Sequence, residues 1–154
     1  MGIGPDFPTA FLKSQWSAGC NLPIGGTVLL SVDDTDKPGF VNVVRRLSAL
    51  GFSLLATGGT YEYLRENKMS LKRINKQNEG GHDTVKAIEE GAVDIVFCTT
   101  RAAERIGSSQ GLRRAALLAG IPYYTTLVGA RAAVSAIERL VEGRPDVHAI
   151  QDYH

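Results

Sequence analysis

Phe52-Ser53-Leu54-Leu55-Ala56-Thr57-Gly58-Gly59-Thr60-Tyr61-Glu62-Tyr63-Leu64 changes character at its middle. The first five residues are an apolar run of strand length. The last four suit a helix. Between them two glycines let the backbone bend sharply and bring bare N–H groups close to a ligand. Thr57 and Thr60 place hydroxyls on either side, at a helix N-terminus that carries partial positive charge. A strand, a donor-rich turn and a helix in that order predict one unit of a parallel sheet, with a phosphate-sized oxyanion as the ligand the turn suits.

The same unit repeats outward. Thr27 to Val32 predicts a strand buried on both faces. A helix starts at Asp36-Lys37-Pro38, with Phe40, Val44 and Leu47 inward, and ends at Gly51. Residues 52–57 and 60–67 form the second pair, and Ser70 to Asn75 a polar third strand. Asp83 is an N-cap for a helix through Glu90. Asp94 to Cys98 is strand four. Ser108 or Ser109 caps a helix through Ala119 that turns Leu112, Ala115 and Ala116 inward. Pro122 to Thr125 is strand five. Gly129 to Val141 is the last helix, with Ala130, Ala133, Val134, Ile137 and Val141 inward, and the tail 143–154 holds a short edge strand. Five alternations with short connections predict an α/β three-layer sandwich: a five-stranded, mainly parallel sheet with helices on both faces.

Residues 1–25 are broken by Gly2, Gly4, Pro5, Pro8, Pro23 and Gly25. They read as a connector from something larger, with a short helix over Thr9 to Ala18, and residues 26–154 as the domain. At 154 residues the chain suits one core. A net charge of +1 gives no field for nucleic acid. No run nears the ~18 apolar residues of a membrane span. Cys20 and Cys98 form no metal or redox spacing, so a cytoplasmic protein with reduced thiols is expected.

In a parallel sheet, ligands bind beyond the carboxyl ends of the strands. Ser31, Asp33, Asp34 and Lys37 follow strand one; Thr57 to Thr60 follow strand two; Asn75, Lys76, Asn78, Glu79 and Gly80 follow strand three; Thr99, Thr100 and Arg101 follow strand four. Hydroxyls, glycines and two lysines thus collect at one edge, which supplies donors and countercharge for an oxyanion. Each has a plain structural reading too: the threonines as caps, the glycines as turn formers, the lysines as solvated charges. Their joint occurrence favours the phosphate site. Arg113 and Arg114 point about 100° apart on a helix, so at most one could face a ligand. His82 reads as a loop residue and Cys98 as core.

The order Leu29-Leu30-Ser31-Val32, Asp36-Lys37, Ala56-Thr57-Gly58-Gly59-Thr60, Ile74-Asn75-Lys76, Asn78-Glu79-Gly80, Thr99-Thr100 and Ile121-Pro122-Tyr123 to Gly129 resembles the methylglyoxal-synthase-like superfamily. Within it the chain is most similar to the C-terminal allosteric domain of the carbamoyl phosphate synthetase large subunit. The opening Met1-Gly2-Ile3, Asp6-Phe7 and Ala10-Phe11-Leu12-Lys13-Ser14-Gln15 resembles the segment that follows the second ATP-binding half of that subunit. Leu112-Arg113-Arg114-Ala115-Ala116-Leu117 and Thr125-Thr126-Leu127 also resemble it.

That resemblance implies a regulatory domain, itself non-catalytic and without a cofactor or metal of its own. It implies a phosphorylated nucleotide effector of the UMP or IMP type. The effector phosphate is expected at Lys37, Thr57, Gly58, Gly59, Thr60, Lys76, Thr99 and Thr100, with Ser31, Asn75, Cys98 and Ser108 as further effector positions. Cys98 stands where the family usually has Asn, and Ser108 where it has an acidic residue. ATP and magnesium are expected in the rest of the subunit, a glutamine-hydrolysing ligase of pyrimidine and arginine biosynthesis. The remaining partners implied are a small subunit and a possible second copy of this chain. The alternative is a free-standing methylglyoxal synthase acting on dihydroxyacetone phosphate, whose catalytic carboxylate position falls at Gly81, two residues before Asp83. The IMP cyclohydrolase domain shares the Thr-Gly-Gly-Thr turn but has a Gly-Arg-Val-Lys-Thr-Leu-His-Pro-type segment that this chain lacks. A vestigial site, given Cys98 and Ser108, is the third reading.

Overall fold

A computed structural model of the chain describes residues 1–75, 83–99 and 103–153, apart from the side chains of 103–109. Five strands alternate with helices: α1 (Phe7–Ser17), β1 (Thr27–Val32), α2 (Lys37–Ala49), β2 (Ser53–Thr57), α3 (Gly58–Glu66), β3 (Lys72–Ile74), α4 (Thr84–Glu89), β4 (Ile95–Thr99), α5 (Ala103–Ala119), β5 (Tyr123–Tyr124) and α6 (Leu127–Val141). The sheet order is β3-β2-β1-β4-β5, and all four strand pairs are parallel. The chain leaves β1 outward in one direction to β2 and β3, then returns to the other side of β1 for β4 and β5. The carboxyl ends of β1 and β4 therefore flank the switch in strand order, the place where open parallel sheets bind ligands.

Strand alternation sends side chains into two cores. Val28, Leu30, Ala56, Ile95 and Phe97 pack with Phe40, Val44, Leu64, Ala133 and Ile137 on one face. Leu29, Val96, Cys98 and Ile74 pack with Ile88, Leu112 and Ala116 on the other. Strands β1 and β4 feed both cores, so they read as continuous apolar runs rather than alternating ones. Gly51 takes φ +86° just past α2, a left-handed turn that glycine adopts without strain.

Several expectations need correcting. Helix α5 starts at Ala103, so Ser108 and Ser109 lie inside it and do not cap it. Ala103-Glu104-Arg105-Ile106 are good helix formers and extend it upstream. Val141 is exposed because it sits in the last turn of α6, past the packed stretch 130–137. The tail carries a single 3-10 turn, Ile150–Asp152, and no strand among its described residues. Helix α6 starts two residues earlier than expected, because the Thr126 side chain accepts from the Gly129 N–H and caps it.

The opening segment is packed. Leu12 of α1 is fully buried in the first core, and the α1 helix lies against α6. Its Asp6 N-cap accepts from Thr9 N at 2.8 Å, which holds that carboxyl below its ordinary range. Tyr124 donates to Gln15 Oε1 at 2.9 Å, tying α1 to β5. Burial of the Tyr124 ring, with the Cys20 thiol beside it, raises the phenol pKa.

Candidate functional site

The polar groups of the carboxyl edge form a connected set. Thr57 donates to Ser31 Oγ at 3.2 Å across β2 and β1. The Val32 N–H donates to Thr60 Oγ1 at 2.9 Å, and the Thr60 hydroxyl lies 3.3 Å from Val32 O as a donor. The Asp33 N–H, just past β1, donates to Thr99 Oγ1 of β4 at 3.0 Å. Three strands are thereby stitched at the one level where a ligand would sit. Thr57, Thr60 and Thr99 are all buried.

Gly58 and Gly59 open α3, and Thr57 is its N-cap residue without making a side-chain cap bond. Its side chain is turned to Ser31 instead, so the hydroxyl is not spent on the helix end. The first N–H groups of a helix have no intrahelical partner and point out of its N-terminus. Lys37, the first residue of α2, reaches this end: a Cβ on Gly59 would lie 3.2 Å from Lys37 Nζ. The Lys37 side chain is only 12% exposed and is ion-paired with Asp34. It is thus a held cation at the glycine pair and not a solvated one. A second cation approaches from β3. A Cβ on Gly58 would lie 3.7 Å from Arg73 Nη2, while Arg73 Nη1 stands 3.5 Å from Glu62 Oε1.

A family model described as the MGS-like domain matches residues 39–125. The chain belongs to the MGS-like domain family. Along 99% of its length it is 46% identical to the carbamoyl phosphate synthase large chain of Mesorhizobium japonicum, of which the match covers 13%. It is also 41% identical to the C-terminal section of that large chain from Methanopyrus kandleri, over 100% of this chain and 29% of the relative. The chain thus spans a small part of these relatives, and the similarity supports a domain of that subunit. The fold also matches a crystal structure of methylglyoxal synthase from Elizabethkingia anophelis, with a TM-score of 0.60 at 22% identity, covering 74% of this chain and 80% of that one.

In this MGS-like domain Ser31, Lys37, Thr57, Gly58, Gly59, Thr60 and Thr99 come together at the carboxyl edge. Asn75 follows β3 at the same edge, bridged to Asp83, and its carbonyl accepts from Thr84 N. Lys76, Thr100 and His82 lie outside the described residues, as does the Ser108 side chain. Cys98 is buried core, in register with Ser31, and the Tyr123 hydroxyl is its neighbour. Arg113 lies over the Tyr123 ring at 5.9 Å. Asp83 caps α4 by accepting from Lys86 N at 2.9 Å.

Sequence reasoning missed Arg73. Only the register shows where it lies: Arg73 pairs with Ala56, whose side chain faces the α3 side of the sheet. Side chains alternate along a strand, so Arg73 shares that face and Ile74 takes the other.

Proposed function

We propose that this MGS-like domain is the regulatory domain of a carbamoyl phosphate synthase large chain, and that its carboxyl edge binds the phosphate of a nucleotide effector of the UMP or IMP type. One observation carries the reading. A hydroxyl set on three strands and the Lys37 ammonium converge on an N-terminus opened by two glycines, in a chain similar along 99% of its length to that large chain. N–H and O–H donors with one held cation match a phosphate ester. Lys76 and Thr100 are proposed for the same phosphate shell, with Ser31, Asn75, Cys98 and Ser108 as further effector positions.

On this reading the domain itself is not catalytic. The chemistry, ATP-dependent synthesis of carbamoyl phosphate with magnesium, belongs to the remainder of the large subunit and a glutamine-hydrolysing small subunit, in the cytoplasm. An effector biases that machinery by binding its two states unequally, typically with about 1–3 kcal/mol of coupling. Asp83 favours this over a methylglyoxal synthase, because its carboxylate is committed to the α4 N-cap and general-base work needs a carboxylate free to take a substrate proton.

Calorimetric titration with UMP and with IMP tests the proposal. Saturable binding of at least one is expected, and no heat from either by folded protein would sink it. Release of inorganic phosphate from dihydroxyacetone phosphate would favour the synthase instead.

A further inference from the structure

A pocket of about 430 Å³ lies between the opening segment, α1 and the tail, within the size range of small-molecule sites. None of its lining residues belongs to the carboxyl edge. Tyr153 closes it: the hydroxyl accepts from Lys13 Nζ at 2.8 Å and lies 3.3 Å from Ile3 O as a donor. That one side chain joins the tail both to α1 and to the opening segment. The His148 ring meets the Tyr153 ring edge-on, with centroids 6.2 Å apart, and packs it in place.

The walls divide into a basic part and an aliphatic part. Lys13 and Trp16 are three residues apart on α1, so their side chains are neighbours on one helix face. Lys13 Nζ stands 5.5 Å from the centre of the Tyr153 ring, and the Arg144 guanidinium 4.7 Å from the centre of the Trp16 ring. Rings and a phenol hold these two cations in place without neutralising them. No Asp or Glu lines the pocket, and among the described residues neither cation is ion-paired with a carboxylate. Asp152, next to Tyr153, accepts from Ala149 N at 3.1 Å instead. Ile3, Val147 and Ile150 form the other wall, and the last two are exposed. Cations already occupy a face of each ring, so the uncovered apolar surface is aliphatic rather than aromatic.

We propose that this pocket is a second ligand site, separate from the carboxyl edge, for an amphiphilic carboxylate. The acid head pairs with Lys13 and Arg144, and an aliphatic body lies on Ile3, Val147 and Ile150. Two cations without countercharge suit an anionic head, and the two oxygens of a carboxylate can each take a charged hydrogen bond. Exposed aliphatic side chains favour a ligand that removes them from water. A compact inorganic anion would leave that wall wet, and a neutral hydrocarbon would leave both cations unpaired. The walls come from segments joined through Tyr153, so a bound acid also holds the tail on α1. This site stands independently of the phosphate reading of the carboxyl edge.

Trp16 is the only tryptophan of the chain, so its fluorescence reads this pocket directly. The test is titration of the whole chain with octanoate, with acetate as the head alone and 1-octanol as the body alone, followed by Trp16 emission and by calorimetry. Octanoate is expected to shift the emission saturably and to bind at least about tenfold more tightly than either partial probe. Arg144→Met keeps an apolar stem and removes one exposed charge. It should weaken octanoate about three- to fivefold and leave 1-octanol unchanged. Val147→Asp puts a like charge in the aliphatic wall and should weaken octanoate about tenfold. Both positions are exposed, and a thermal melt of each variant checks that it folds. Binding of 1-octanol as tight as that of octanoate, or octanoate affinity unchanged in both folded variants, overturns the proposal. Displacement of octanoate by inorganic phosphate also overturns it, by moving the acid to the carboxyl edge. No octanoate binding by a chain that still binds phosphate overturns this pocket and leaves the carboxyl edge standing.

Discussion

The two edges of the sheet solve the same problem with opposite chemistry. At the amino edge, Asp94 Oδ2 accepts from Thr27 N at 2.7 Å, and Asp94 N donates to Thr27 O at 2.9 Å. Gly26, at φ +109°, leaves room for that carboxylate, since a Cβ there would fall 2.1 Å from Asp94 Oδ2. The result is a closed bracket with a negative charge at its centre. At the carboxyl edge, hydroxyls do the stitching, and the cation nearest the glycine pair, Lys37, is balanced by Asp34. The Ser31 and Thr99 hydroxyls accept in these bonds and keep a proton to donate, while Thr57 and Thr60 give theirs to Ser31 and Val32 O; an ionised carboxylate only accepts. The amino edge is therefore purely architectural, and the carboxyl edge is architectural with capacity to spare.

The sharpest way to break this contrast is Thr60→Val. It keeps the shape but removes the partner of the buried Val32 N–H and C=O. We expect a loss of about 2–3 kcal/mol in urea unfolding, together with weaker phosphate binding. Asp94→Ala is the matched change at the other edge. It should lose about 2 kcal/mol of stability and leave anion affinity unaltered; a parallel fall in affinity would mean that the edges are not separate. Lys37→Ala should do the reverse, with affinity for inorganic phosphate down about tenfold and stability within about 0.5 kcal/mol, read by calorimetry and melting.

Smaller effects sharpen the comparison further. Gly59→Ala should gain up to about 0.5 kcal/mol from helix propensity and yet bind phosphate less well, because its new methyl meets the Lys37 ammonium. The pair Arg46–Glu138, joining α2 to α6 between the edges, gives a control. The Arg46 guanidinium donates to both Glu138 oxygens and holds that carboxyl below its ordinary value of 4.5. A depressed carboxyl contributes stability above its unfolded pKa and loses it as pH falls through the folded one. Below pH 4.5, then, wild type should lose a further fraction of a kcal/mol that Glu138→Gln does not lose, the pair being partly exposed.

The fold was legible because strands β1, β2 and β4 are apolar runs closed by polar clusters, and the helices between carry their own stop signals at Gly51, Gly91 and Gly120. The hydroxyls at the carboxyl edge were legible for the same reason, since a parallel sheet fixes where strand ends lie. What the chain order could not show is which bonds those hydroxyls make. Thr60 is both a structural fastener for Val32 and a candidate ligand group, and its dual part emerges only from the distance across β1. Arg73 was hidden because a short polar strand has no hydrophobic alternation to set its phase. The start of α5 was hidden because good helix formers run on through the expected serine caps.

The most direct test of an anion site at the carboxyl edge is an amide NMR titration of the chain with inorganic phosphate. The account predicts saturable shifts at Gly58, Gly59 and Thr60, with Thr27 and Asp94 unmoved. Shifts centred on Thr27 and Asp94, or none at the glycine pair at saturating phosphate, would contradict it.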